Sequence, residues 1–167
     1  MEQSLAYVMQ VQDSRWISTV HRFINCINHA NFDELAECYE DSSYFTTNLL
    51  EKGLAYPELV QFWSFIIKSS KLVSAWAYHT DTDKNVVKYC VCFKYPETNR
   101  TVILDVESVI IADNGKIFSQ SDKVKSRMFI AHAYGIVGFI KSCFPFWRKQ
   151  YEQRIKNFFS NAIVRNM

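Results

Sequence analysis

The sequence predicts a single α+β domain, in which short helices precede a mostly antiparallel sheet. The clearest signal lies in the stretch 101–125, where β-rich runs flank Asn114-Gly115, a pair that tolerates the positive φ of a two-residue hairpin turn. The order of patterns along the chain is helix, short helix, strand, helix and then consecutive strands, which is typical of the α+β class. A length of 167 residues suits one domain with its own core.

Composition and charge limit the classes of function. Apolar residues at 49% and charged residues at 22% are typical of a globular domain, and 16% aromatic residues indicate a thick core, an apolar cavity or an apolar interface. A net charge of +2 is too small to predict a nucleic-acid partner. The five cysteines fit no zinc-binding spacing and no cofactor motif is visible, so we expect neither a metal site nor a cofactor. Free thiols, and a first stretch without a basic-then-apolar leader, predict a cytoplasmic protein.

The first part of the chain is predicted to be mainly helical. Asp13 and Ser14 are favourable N-caps for a first helix, whose apolar stripe consists of Trp16, Val20, Phe23, Ile24 and Ile27. A capping box at 31–34 begins a short second helix, and the β-prone run 42–50 follows as a short edge strand. Pro57 then opens a third helix, because proline is favoured at the first helical position.

Antiparallel strands are predicted over 71–80, 85–95 and both arms of the hairpin. The turn sets a register in which Glu107 faces Asp122 and Val109 faces Gln120, so that these four side chains share one sheet face. Pairing of the preceding strand adds Lys88, giving a row of Lys88, Glu107 and Asp122 across three strands. Two opposed carboxylates are unfavourable unless they are used or neutralised, which makes this row a candidate site.

Two helices are predicted at the end of the chain. The first, 127–142, is apolar almost all round, and we expect it to be buried rather than to span a membrane, because it contains His132 and Lys141 and is followed by Pro145. The second, 147–164, is amphipathic. Its basic and aromatic beginning, 144–156, is compatible with a membrane surface, but a helix docked on the core is favoured, so membrane contact is not expected.

Three stretches resemble one superfamily. Residues 28–45, NHANFDELAECYEDSSYF, resemble the "N-x-x-D-x-D-x-L-x-x-x-Y-x-D-D-x-x-F" run of SnoaL-like domains in the nuclear transport factor 2-like (NTF2-like) superfamily. Gly53 with the helix 57–65 resembles the following "G-x-x-x-I-x-x-F" segment, and 108–122 resembles the closing "S-V-F-x-F-x-D-G-K-I-x-x-x-x-D" hairpin. The resemblance implies a cone-shaped, strongly curved antiparallel sheet wrapped around the N-terminal helices, with an apolar pocket inside. We expect one such domain over 1–167, in which 126–167 is a helical C-terminal extension.

The resemblance also implies two alternative functions. One is a small-molecule-binding protein with a hydrophobic pocket and proton-transfer chemistry of the isomerase, cyclase, dehydratase or hydrolase type. The other is a non-catalytic dimerisation or protein-interaction module, and the sequence leaves open whether the protein is an enzyme. Asp122 falls where SnoaL-like cyclases keep their acid/base carboxylate, and Glu107 falls near the oxyanion-donating acid of ketosteroid isomerases; Lys88 or Gln120 would hold an oxyanion or a water. Thr46, at the position of the isomerase base, cannot ionise.

Two placements of the acidic face remain open. The resemblance places it inside the cone, whereas the residue pattern places it outside, because the opposite face is more apolar and carries Tyr89, Val91, Phe93, Leu104, Val106, Ile110 and Ile117. In the inward placement, the predicted contacts of a small apolar or amphipathic ligand are Lys88, Gln120, Trp63, Tyr39, Tyr44, Phe62 and Val109. These aromatic residues could also be plain core. The apolar outer face would then need cover, which a dimer partner or the long C-terminal helices could supply, and we expect a homodimer.

Overall fold

A computed structural model describes residues 2–69 and 73–164, with side chains over 14–68 and 74–160. Its elements follow the predicted α+β order: α1 (Glu2–Asn28), α2 (Phe32–Glu37), β1 (Tyr39–Thr47), β2 (Leu54–Ala55), α3 (Tyr56–Ser69), β3 (Val73–Asp81), β4 (Val86–Tyr95), β5 (Arg100–Asp113), β6 (Lys116–Val124), α4 (Ser126–Ser142) and α5 (Pro145–Val164). The predicted fold class is confirmed.

The described strands form one curved, unclosed sheet in the order β2-β1-β6-β5-β4-β3. All neighbours are antiparallel except β1 and β6, which are parallel, so the sheet is mixed and departs at this one pair from the antiparallel sheet that the resemblance implies. The reason is connectivity: α3 and four strands separate β1 from β6 along the chain, and a connection of that length allows the two strands to run in the same direction. The short β2 pairs with the outer side of β1, which is therefore not an edge strand.

Helix α1 packs on the concave face of the sheet through the predicted stripe. All five predicted positions, from Trp16 to Ile27, are buried, and the indole Nε1 of Trp16 donates to the carbonyl oxygen of Ile110 at 2.8 Å. The helix begins at Glu2, however, and not at the predicted caps Asp13 and Ser14. Residues 2–13 contain neither proline nor glycine, so nothing in them ends the helix.

The C-terminal helices depart further from expectation. Gly135 interrupts α4 with φ 69° and ψ −159°, a conformation that is essentially restricted to glycine. Phe129 and Ile130, which precede Gly135, are fully buried, whereas the apolar residues that follow it are exposed. The predicted buried helix is therefore correct only for the first half of α4. Helix α5 docks on the core through Ile155 and Phe159. Within the described ranges, no helix combines the length and apolarity needed to cross a bilayer.

Candidate functional site: a buried carboxyl in an apolar cone

The register of the β5–β6 hairpin changes at one β-bulge. Ile117 faces Ala112 and Ser119 faces Ile111, so Phe118 is an extra residue in β6. Because side chains alternate between faces, one extra residue moves every later residue of β6 to the opposite face from the one that a regular hairpin predicts.

The bulge corrects the predicted pairing of two carboxylates. Asp122 faces Ser108, and Glu107 faces Lys123. Asp122 is buried on the concave face, whereas Glu107 lies on the outer face with its Oε2 3.1 Å from Nζ of Lys88. The predicted contact between Glu107 and Asp122 is therefore wrong, although the β4–β5 register that pairs Lys88 with Glu107 is as predicted.

The two predicted placements of the acidic face, outside the cone from the residue pattern and inside it from the resemblance, were each right for some of its residues. The concave face is the apolar one that the residue pattern favours, with buried positions alternating along β4 and β5. The bulge adds Gln120 and Asp122 to this apolar face, which is where the resemblance places them. The interior of the cone is therefore apolar with a small polar cluster.

The carboxyl group of Asp122 is held by neutral hydrogen-bond donors. Its Oδ2 accepts from the hydroxyl of Tyr89 at 2.8 Å, and its Oδ1 accepts from Nε2 of Gln120 at 2.9 Å. Burial raises the pKa of Asp122 to about 6, and interactions with Ser108, Gln120 and Tyr89 offset part of the increase. No cation among the described residues contributes to this balance, so both protonation states are accessible near neutral pH.

A second tyrosine orients the amide of Gln120. The Tyr39 hydroxyl donates to Oε1 of Gln120 at 2.6 Å, which leaves Nε2 facing Asp122 at 2.9 Å and the Tyr89 hydroxyl at 3.3 Å. Burial, together with the nearby Asp122 carboxylate, raises the pKa of both tyrosines far above the usual value. Both tyrosines therefore stay protonated and act as hydrogen-bond donors. Tyr39 donates to Gln120, whose amide donates to Asp122, and Tyr89 donates to Asp122 directly.

Asp122 borders a narrow hollow of about 20 Å³, room for roughly one water molecule. Its wall is almost entirely apolar: Phe45, Thr47, Leu49, Phe62, Trp63, Ile66, Tyr89, Val91, Leu104, Val106, Val124 and Phe159 surround the carboxyl group. Phe159 comes from α5, and its ring lies 5.8 Å from that of Phe62. The C-terminal extension thus fills one end of the cone.

The structure separates the predicted site residues into two groups. Asp122, Gln120, Tyr39, Trp63 and Phe62 are buried within the cone. Glu107, Lys88, Val109 and Tyr44 lie on other surfaces: the first three are on the outer sheet face, and the Tyr44 side chain is 51% exposed and beside Gly53. The outer-face positions of Lys88, Glu107 and Val109 follow from regular alternation along β4 and β5, whereas the bulge turns Gln120 and Asp122 of β6 to the inner face.

Sequence reasoning missed three residues of this site. Tyr89 was predicted only to be part of the apolar face. If Asp122 had been placed on that face too, the Tyr89 hydroxyl would have been identified as a hydrogen-bond donor to its carboxyl group. Ser108 was missed because the bulge was missed. Phe159 gave no local signal, because its place in the cone depends on how α5 folds back on α3.

Two other features bear on cofactor chemistry. Within the described residues, no cluster of three or more His, Cys, Asp or Glu side chains has the geometry of a metal site. All five cysteines are free thiols; Sγ of Cys26 and Sγ of Cys38 lie 3.9 Å apart in the core, and burial raises the pKa of both.

The mixed six-stranded sheet curved around helices has the NTF2-like α+β cone fold. No protein-family model matches the sequence, and no curated protein matches it. Solved structures do match.

An epoxide hydrolase of the LEH-like type from M. tuberculosis is similar with a TM-score of 0.58 and 14% identity, over 76% of this chain and 96% of that one. A protein with a ketosteroid isomerase-like fold from Catenulispora acidiphila, solved with trimethylamine, has a TM-score of 0.57 and 10% identity, over 70% of this chain and 92% of that one. An NTF2-like protein of unknown function from Exiguobacterium sp. has a TM-score of 0.53 and 14% identity, over 64% of this chain and 98% of that one. At these identities the likeness shows the fold.

Proposed function

We propose that this protein binds a small apolar or amphipathic molecule inside the cone, and that Asp122 exchanges a proton with it. The observation that carries the proposal is a carboxyl group with a pKa of about 6 at the wall of an apolar hollow. A general base or acid is most effective when its pKa lies near the working pH. An apolar wall with few polar groups is also the usual form of a ligand site.

The proposed chemistry is a proton transfer of the isomerase, cyclase, dehydratase or hydrolase type. Above pH 6 Asp122 is mostly ionised and would accept a proton from the ligand or from a water. Tyr89 and Gln120 would hold the carboxylate in one orientation. Solved structures of the same fold include an epoxide hydrolase and a protein with trimethylamine bound, which supports small-molecule binding by such cones.

The hollow must widen before a ligand can enter, because about 20 Å³ holds no organic molecule. Phe159 is the wall residue best placed to move, since it belongs to the last described helix and not to the sheet. We therefore propose that α5 moves when a ligand binds.

Matched probes of the same size test the proposal. Phenol and toluene differ by one hydroxyl group, which can donate to an ionised Asp122. We expect phenol to bind more tightly than toluene above pH 6 and to shift the NMR-measured pKa of Asp122. In Asp122→Asn the difference in affinity between phenol and toluene should be lost. The control Asp105→Asn removes a carboxylate from the outer face and should change neither result. Equal binding of both probes, or an unmoved Asp122 pKa with phenol bound, would contradict the proposal.

A second candidate is a non-catalytic interaction module, which the small size of the hollow favours. The outer sheet face is its expected interface, because it exposes Trp76, Tyr78, Ile103, Val109, Ile111 and Phe118. Large exposed apolar patches are rare on monomers, which supports the proposed homodimer. Light scattering would show a dimer mass that Ile111→Lys reduces to that of a monomer. The free thiols support the proposed cytoplasmic location.

A further inference from the structure

The most exposed apolar region of the described residues covers the second half of α4 and the beginning of α5. We call it the apolar ridge, and its exposed fractions are Ile136 79%, Val137 61%, Phe139 52%, Ile140 55%, Phe144 58%, Phe146 65% and Trp147 41%. Seven large apolar side chains within twelve consecutive residues exceed the scattered exposure that is normal for a protein surface. Contiguous apolar exposure of this kind is typical of an interaction surface.

The ridge is held in position by the core. Phe129 and Ile130 anchor α4 before the Gly135 kink, and Ile155 and Phe159 anchor α5 after the turn. The docking predicted for 144–156 thus holds only for the later part of α5. The residues between these anchors are exposed, and the buried anchors on both sides hold them on the domain.

Charge indicates what the ridge binds. From Ser126 to Tyr151 the sequence contains no Asp or Glu, while four cations occur there: Arg127, Lys141, Arg148 and Lys149. A second copy of the chain, docked ridge to ridge, would bring these like charges together, whereas an anionic surface would attract them. Nζ of Lys141 lies 4.8 Å from the centre of the Trp147 ring, so a cation and an aromatic ring already share this surface.

A groove of about 560 Å³ begins beside the end of the ridge, at Arg148, and its lining holds five cations against three carboxylates, of which Glu152 accepts a hydrogen bond from Ser126. Its lining includes Lys123, Arg127 and Arg148, none of which forms an ion pair with a described residue. The other two cations of the groove, Lys88 and Lys125, are paired with Glu107 and Asp105. Arg148 directly follows Trp147, so the unpaired cations reach the end of the ridge.

We propose that the apolar ridge inserts into the surface of an anionic phospholipid bilayer, and that the groove cations contact the lipid phosphates. Phe and Trp side chains suit the boundary between headgroups and acyl chains, and Lys or Arg beside them adds attraction to anionic lipid. The occupant is a lipid surface, and the ridge lies on it without crossing.

Vesicle flotation tests this with the full chain. We expect binding to phosphatidylcholine vesicles that contain phosphatidylserine, and much weaker binding to phosphatidylcholine alone. Phe144→Ser with Phe146→Ser should weaken binding at least about tenfold, because two apolar anchors are lost. Arg148→Gln with Lys149→Gln should weaken it about fivefold per charge at low salt, and only on anionic vesicles. The fluorescence of Trp147, identified with Trp147→Phe, should shift to the blue on binding.

Matched controls act at the far end of the sheet. Tyr44→Ser removes a half-exposed ring on β1, outside both the ridge and the proposed dimer interface, and Lys116→Gln removes a charge that reaches solvent at the hairpin turn; both should bind as the wild type does. All substituted side chains reach solvent, so the unfolding temperature should change little. Failure to bind either vesicle, or binding that Phe144→Ser with Phe146→Ser leaves intact, would overturn the proposal. So would an oligomer by light scattering that this double variant dissociates, because the ridge would then bind a second copy.

Discussion

Ser108 lies opposite Asp122 across the β5–β6 hairpin, and this pairing determines the chemistry of both faces of the sheet. It places an ionisable group among apolar residues on the concave face and leaves Glu107 outside, beside Lys88. Had the hairpin been regular, Glu107 and Asp122 would have faced each other on one surface. A single extra residue, Phe118, thus converts a pair of surface carboxylates into one buried acid.

The buried acid predicts an unusual dependence of stability on pH. The folded pKa of Asp122 is about 6, above the ordinary 3.8, so the folded state binds its proton more tightly than the unfolded state does. The free energy of unfolding should therefore fall as pH rises from about 4 to 7. At 1.36 kcal/mol per pKa unit, ionisation costs about 3 kcal/mol. Urea unfolding of Asp122→Asn at pH 8 should show a protein up to about 3 kcal/mol more stable than the wild type, with the difference lost near pH 4.

Asp105 provides a control, because its ionisation should change the free energy of unfolding in the opposite direction to that of Asp122. Hydrogen bonds from Lys125 and Tyr78 lower the pKa of its carboxyl, so its contribution to stability is present above its unfolded pKa and is lost as pH falls. Asp105→Asn should therefore be less stable than the wild type at neutral pH. If Asp122→Asn behaved in the same way, Asp122 would not be a desolvated acid.

Tyr39 is predicted to tune Asp122 without touching it. Its hydroxyl fixes the amide of Gln120, whose Nε2 lowers the pKa of Asp122 by hydrogen bonding to it. In Tyr39→Phe the amide is free to turn, so the pKa of Asp122 should rise above 6, as a carbon-13 NMR titration of the carboxyl group would show. Tyr95→Phe removes another buried hydroxyl, one that contacts Glu97 and Tyr134, and should leave this pKa unchanged. Equal titration of wild type and Tyr39→Phe would show that the amide is held by other contacts.

Local patterns predicted much of this molecule. The spacing of apolar residues identified the buried stripe of α1, and the Lys88–Glu107 pairing followed from alternation along two regular strands. The bulge at Phe118 was not predictable in this way, because it depends on burying Ile110, Ile117 and Gln120 together on one curved surface. The kink at Gly135 was not predictable either, because the apolar pattern of the helix continues through this residue and its positive φ leaves no sign in that pattern. Contacts made by α5 across the whole domain leave no periodic signal.

Phe159 is one such contact, and its removal is predicted to open the hollow. The side chain is fully buried against Phe62 and Phe129 at the end of the cone. Phe159→Ala should lower the free energy of unfolding by about 3–5 kcal/mol, because the transfer energy is lost and a cavity remains. The neighbouring Phe158 is only partly buried and does not line the hollow, so Phe158→Ala should cost less and serves as the control.

The same pair of variants tests whether the enlarged space joins the hollow. Toluene should bind Phe159→Ala more tightly than the wild type, with NMR shifts at Trp63 and at the Asp122 carboxyl, because these groups line the space that the ring vacates. Phe158→Ala should bind toluene no better than the wild type. If Phe159→Ala lost stability without gaining affinity for toluene, the core would have collapsed around the missing ring, and α5 would not be the element that limits entry to the cone.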